Sequence, residues 1–184
     1  MSGRERRRSV PDFLRAFVII RLEARLAKGV EMLYKILLFV HITAIAIWIG
    51  GGFMLALLGA RAAKADPPPP PMVIRNLEVA EWLGPHFYFP VILTTLVSGI
   101  WLVLESGVGF GHFFVLFGLG MVVLAAAMGV VFFVPRAKIL IAHITEKGVD
   151  AEAQAGLAQV AMVSKLMLGL LVLTVFVMTY KPFA

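Results

Sequence analysis

The 184-residue chain contains no cysteine, which removes disulfide frameworks, zinc ribbons and thiolate redox centres. Charge is scarce: Asp, Glu, Lys and Arg make up 15% of residues, against roughly 25% in a soluble domain. No Asp or Glu falls within residues 36–60, 87–104, 113–134 or 166–180, which argues against a proton pump built on an acidic relay. HExxH, paired carboxylates and a Ser/His/Asp constellation are all missing. So are the ten-residue alternating segments of a membrane β-barrel. What is abundant is apolar: 60% of residues are hydrophobic and the mean hydropathy is +0.92. Those values exclude a disordered chain, a nucleic-acid-binding domain and most soluble enzymes, and leave an integral membrane protein.

A helix needs ~20 apolar residues to cross ~30 Å of hydrocarbon. The uncharged runs, extended to their nearest breaks, give spans over about 33–61, 85–105, 112–135 and 160–180. The pattern predicts an all-α, antiparallel four-helix bundle in one transmembrane domain, residues 32–184, with both termini on one side of the cell inner membrane. Asp66 and the five prolines of residues 67–71 read as a stiff extended linker. Beyond them Val73, Ile74, Leu77, Ala80 and Trp82 alternate with Arg75, Glu78 and Glu81. That predicts a short interfacial helix between spans one and two, with Trp82 at head-group depth. Gly84-Pro85 predicts a break before span two. Pro135 predicts a kink in span three. Gly148 as C′ residue and Asp150 as N-cap would close a hairpin of spans three and four that projects into water.

Residues 1–31 stand apart. Arg4, Arg6, Arg7 and Arg8 form a basic tail. Phe13, Phe17, Ile20, Ala24 and Ala27 then mark one helix face, with Arg21, Arg25 and Lys28 on the other. This is an N-terminal amphipathic interfacial helix suited to anionic lipid head groups. Nine of the 17 Lys and Arg lie between Arg4 and Lys35, so the excess of positive charge is assigned to lipid rather than to nucleic acid. The side holding the termini carries ten Lys and Arg against seven opposite. Without residues 1–31 that balance reverses, so charge does not fix sidedness.

Polar groups inside a bilayer are costly and mark function. His41 lies about 12 Å into span one, on one face with Ala44, Ile45, Trp48 and Gly52. A neutral imidazole beside a small residue and Trp48 suits a planar metallocofactor, and imidazole is a haem iron ligand. The competing reading is a helix-packing histidine bonded to a neighbouring helix. Counting from the span ends places Val97 and Ser98, Gly120 and Met121, and Leu173 and Thr174 at the level of His41. Met121 is the candidate second axial ligand. His112 is placed at the rim of that side. His86, His143 and Lys165 form a weaker candidate group at the opposite mouth, where Lys165 could hold an anionic head group, a propionate or a quinone oxygen. Gly50, Gly51, Gly52, Gly59, Ser98-Gly99, Gly118, Ala125 and Gly129 thin the spans for close helix approach.

The stretch Leu33-Tyr34-Lys35-Ile36-Leu37-Leu38-Phe39-Val40-His41, followed by Trp48-Ile49-Gly50-Gly51, resembles the first helix of a group of four-helix bacterial membrane proteins. The group includes uncharacterised integral membrane proteins, the CopD-type copper-resistance domain and the HemJ-like protoporphyrinogen oxidases. Residues 80–85, Pro90, Ser98-Gly99-Ile100-Trp101 and the ending Met178-Thr179-Tyr180-Lys181-Pro182 are similar to the uncharacterised branch. The resemblance covers roughly residues 32–182 and implies haem b on His41. The lysine that HemJ-like proteins carry near the start of the third helix has no counterpart in residues 109–114, so protoporphyrinogen oxidation is not implied. The expected function is haem b binding with electron transfer, quinone being a candidate partner. The alternatives are an accessory subunit that binds a membrane protein or a second copy of itself, and copper or small-solute transport.

Overall fold

The computed structural model describes residues 12–62 and 69–181, with backbone alone at 12–20, 22 and 24–27. The basic tail, the start of the proline run, and the faces expected at Phe13, Phe17, Ile20, Ala24, Arg25 and Ala27 lie outside the described residues and side chains. Among the described residues every regular element is helical. The elements are α1 (Asp12–Ala62), α2 (Pro70–Leu83), α3 (Phe89–Ser106), α4 (Phe113–Met128), α5 (Val134–Lys147) and α6 (Ala151–Tyr180). Single π-turns, Gly84–Tyr88 and Gly129–Phe133, join α2 to α3 and α4 to α5.

The result is four continuous helices long and apolar enough to cross a membrane: Lys28–Ala62, Pro70–Ser106, Phe113–Lys147 and Ala151–Tyr180. The protein is thus a multi-pass membrane protein built as a four-helix bundle. The short helix expected between spans one and two is α2, and it continues into span two. Where Gly84-Pro85 predicted a break, the backbone widens by one residue per turn instead. Proline lacks an N–H and its ring crowds a preceding carbonyl. A wide turn relieves the crowding while keeping the chain helical, which matters where no water can satisfy free backbone groups. The π-turn before Pro135 is the same solution in span three. The N-terminal helical segment also runs into span one without interruption.

Each span of 30 to 37 residues exceeds the ~20 that hydrocarbon requires. The surplus of spans two and three forms a projecting head. There α2 packs on α5, and the first turns of α6 close the group. Its core is Val73 and Leu77 from α2, Ala137, Leu140 and Ile144 from α5, and Ala153 from α6. The spacing of three or four within α5 is what one buried helix face requires. Gly156 lets α6 approach, because a Cβ there would lie 2.7 Å from Leu140 Cδ2. Gly148, with φ +77°, ends α5, and Asp150 caps α6 by accepting from Ala153 N at 2.8 Å. Both predicted caps are therefore in place.

Away from the head the hairpin splays. The membrane half of span two, α3, packs on α1, while α4 packs on α6. At the far end Phe114, Val115 and Val177 make a second small core. Gly118 accommodates the Met178 methyl, which a Cβ there would overlap. Lys181, in the left-handed conformation, ends α6 with its ammonium 5.7 Å from the centre of the Phe114 ring.

Candidate functional site

The site forms where α1 crosses α3. His41 faces Ser98 and Gly99, and ten residues further on Gly51 faces Phe87 and Tyr88. Two antiparallel helices in straight register give such matched steps. The same register sets Ala44 opposite Thr95, and Ala44, Trp48, Thr95 and Ser98 are all buried. The face that the sequence marked on span one, with His41, Ala44 and Trp48, is thus the face that meets span two.

His41 Nδ1 lies 3.0 Å from Ser98 Oγ. Ser98 Oγ in turn lies 2.6 Å from the Thr94 carbonyl and 3.3 Å from that of Thr95. A hydroxyl has one proton, and the short contact to Thr94 takes it. The imidazole is therefore the donor to Ser98. A neutral ring protonated on Nδ1 keeps its lone pair on Nε2. The neighbouring hydroxyl, Thr95, is spent locally, donating to the Val91 carbonyl at 2.9 Å. Back-bonding of this kind satisfies a buried hydroxyl without a second helix, so the hydrogen bonds described between the two helices, to Ser98 Oγ and to the Thr95 backbone, all belong to His41.

Sterics fix the ring as firmly as the hydrogen bond does. A Cβ on Gly99 would lie 2.9 Å from His41 Cε1, closer than real side chains approach. Only glycine there lets the imidazole lie against the α3 backbone. Trp48, two turns on, is buried at 7% exposure on the same face. Met121 is also buried, but on α4, one turn beyond Gly118 on the face that receives Met178 from α6. The structure therefore seats His41 on α3 and buries Trp48 on the same face of α1, and places Met121 on α4 one turn from the glycine that receives Met178.

The candidates at the head resolve differently. His86 Nδ1 donates to the Trp82 carbonyl at 2.9 Å, and its ring stacks on Trp82 at 4.7 Å between centroids. His143 Nε2 reaches both Asp150 oxygens, at 2.9 and 3.0 Å. Lys165 is exposed on α6. The three do not share one set of contacts. His143, Asp150 and Glu152 do place ligand atoms within 4.8 Å of one another. Asp150 is already engaged as a cap. The Ala153 N–H first, then His143 and the charge of Lys147, hold its carboxyl below the ordinary value of 3.8. At the other end His112 opens α4 and donates from Nδ1 to the Gly109 carbonyl at 2.9 Å.

Sequence reasoning found Ser98 by depth but did not pair it with His41. It missed the contact of Tyr88 with Gly51, where a Cβ would meet Phe87 Cε1 at 3.1 Å and Tyr88 Oη at 3.2 Å. The signal was a repeated string. Residues 84–90 read Gly-Pro-His-Phe-Tyr-Phe-Pro and residues 129–135 read Gly-Val-Val-Phe-Phe-Val-Pro, with Gly, Phe, a second aromatic and Pro at the same offsets. Comparison with protein-family models, with curated proteins and with solved structures gave no match.

Proposed function

We propose that this membrane protein holds haem b through Nε2 of His41 and transfers electrons within the cell inner membrane, with a lipid-soluble quinone as partner. The observation that carries the reading is the relay from His41 Nδ1 through Ser98 Oγ to the Thr94 carbonyl. Metal-bound histidines characteristically have the second ring nitrogen anchored to an oxygen, which fixes tautomer and orientation. His41 meets that requirement, so its Nε2 would serve as a ligand to the iron. Haem would supply a reversible one-electron iron couple. The residues of this chain orient the imidazole through Ser98, set its closeness to α3 through Gly99, and surround it with apolar side chains that raise the cost of charge. The basic N-terminal segment attracts anionic lipid head groups in the same reading.

A second reading rests on a separate observation. The tight seat of His41 on Gly99 also suits an imidazole that locks two helices in a bundle acting as accessory subunit to a membrane protein partner or to its own copy. The absorption spectrum of the full chain, purified in detergent from haem-replete cells, separates the two. Haem binding predicts a Soret band that is lost in His41→Ala. A folded, colourless preparation overturns it, and a stable partner that co-purifies with both native and His41→Ala protein then favours the accessory role.

A further inference from the structure

The two π-turns are too alike to be independent accidents of packing. In each helix the last N–H before proline reaches back five residues to a glycine: Phe89 N–H to Gly84 O ahead of Pro90, and Val134 N–H to Gly129 O ahead of Pro135. Each turn ends in an edge-to-face aromatic pair of the same geometry. Phe87 with Tyr88 and Phe132 with Phe133 both have centroids 5.3 Å apart and planes at 83°. The turns also adjoin one another in space, since a Cβ on Gly84 would lie 3.7 Å from Val134 Cγ2. Each sits where a 14-residue head helix, α2 or α5, meets a membrane helix. The main packing partner changes at this level too: α2 and α5 pack mostly on each other and less on α1 and α6, whereas α3 packs mostly on α1 and α4 on α6.

A π-turn followed by proline is a weak point in a helix. The wide turn has poorer bonding geometry, and the proline contributes no donor to the carbonyls behind it. Kinks in long helices localise at such points. Two of them, side by side on antiparallel helices, define an axis rather than two separate bends. The Tyr88 hydroxyl adds to this. It is buried against α1 with no hydrogen-bond partner, so movement at the first turn breaks no hydrogen bond made by that group. Gly51, opposite it, leaves the aromatic pair a smooth surface to slide on.

We propose that the paired π-turns are a hinge about which α2 and α5 swing together, against the unbroken α6 that completes their core, relative to the α3 and α4 spans. This does not depend on haem. The absence of cysteine allows a direct test, with spin labels on cysteine pairs in the full chain reconstituted in lipid nanodiscs. Glu78→Cys with Val97→Cys spans the first turn, and Leu116→Cys with Thr145→Cys spans the second. Met162→Cys with Phe176→Cys is the control within α6, which contains no such turn. All six positions are exposed. A hinge predicts distance distributions across both turns at least twice as wide as the control. Distributions as narrow as the control across both turns overturn it. Two variants sharpen the test. Pro90→Ala with Pro135→Ala restores both missing donors and should narrow both distributions. Gly51→Ala, which crowds Phe87 and Tyr88, should narrow the first alone. Widths that neither variant changes place the motion elsewhere and also overturn the proposal.

Discussion

The head and the membrane half of this bundle are held together by different means. In the head, branched side chains interlock: Ile144 is exposed to 2% and Leu140 to 5%, between Val73, Leu77 and Ala153. Its rim carries an ion pair between Lys138 and Glu81 at 3.6 Å and a hydrogen bond from Arg136 to Gln159. In the membrane half the buried large side chains, Trp48, Phe114, Val115, Met121 and Val177, are spread along separate helix pairs rather than gathered in one core. There glycines seat single side chains: Gly99 for His41, Gly51 for Phe87, Gly118 for Met178, a device the head uses once, at Gly156. Charged residues return in α2 and α5, and in water hiding hydrocarbon drives assembly of this kind. Lipid tails are as apolar as leucine, so the spans gain nothing by hiding hydrocarbon and rely on close contact and hydrogen bonds. One chain thus follows two rules of cohesion, with the π-turns at the boundary.

That contrast can be broken by substitution. The largest effect is expected in the head. Ile144→Ala should cost about 2–5 kcal/mol of local stability. Amide exchange should accelerate across α2 and α5 while α3 and α4 keep their protection. Equal acceleration in the spans would mean that the two halves share one cooperative core. Next comes Gly99→Ala, where one added methyl meets the imidazole. Overpacking of this kind costs about 1–3 kcal/mol. Thermal melting should fall, and any Soret band should weaken or shift, with α2 and α5 exchange unaffected.

Ser98→Ala is milder. The relay loses its middle atom but no volume, and a hydrogen bond between membrane helices is worth about 1 kcal/mol. A small drop in melting temperature is expected. In a haem-loaded preparation the reduction potential should shift while the Soret band persists. A melting temperature equal to that of Gly99→Ala would mean that the hydroxyl matters as much as the close contact does. The fourth effect is local and depends on acidity. The Asp150 carboxyl is held below its ordinary 3.8 by the Ala153 N–H and by His143. The charged form is thus the one the fold favours, and its contribution is complete above about pH 5. It is lost as pH falls through the ordinary carboxylate range toward the depressed value. Exchange at the Ala153 amide should outpace its intrinsic acid dependence between pH 5 and 3, and Asp150→Asn should remove that excess.

Much of the fold was legible because membrane spans announce themselves by composition. Twenty apolar residues in a row have few soluble explanations, and Gly148 and Asp150 mark helix ends by backbone chemistry alone. The head was partly legible, since residues 139–147 keep a helical period after charge returns. The break expected at Gly84-Pro85 was misjudged for a physical reason. In water Gly84-Pro85 ends a helix, because solvent satisfies the freed carbonyls. In a bundle the chain widens a turn instead, and the string that encodes this was visible only as a repeat.

The site was legible by depth rather than by partner. Counting residues put Ser98 level with His41, but nothing in a single sequence says which of three facing helices a ring will touch. Gly99 is what decides it, and a missing side chain leaves no pattern of its own. Met121 was placed by the same count, and it lies buried on α4 one turn beyond the glycine that receives Met178. Level is set by position in the sequence, whereas azimuth is set by packing.

Helix α1 has 51 residues, or about 76 Å at 1.5 Å per residue. The span marked by the sequence begins near residue 33, so about 32 Å of helix comes first. No proline or π-turn lies between the two parts. The leading portion is therefore a mast stepped directly into the bilayer. If its span leans by the common ~20°, the masthead moves sideways by about 11 Å. Tilt follows helix packing and responds to hydrophobic mismatch, so a change of lean in a thinner or thicker membrane would register at the mast's tip as lateral travel.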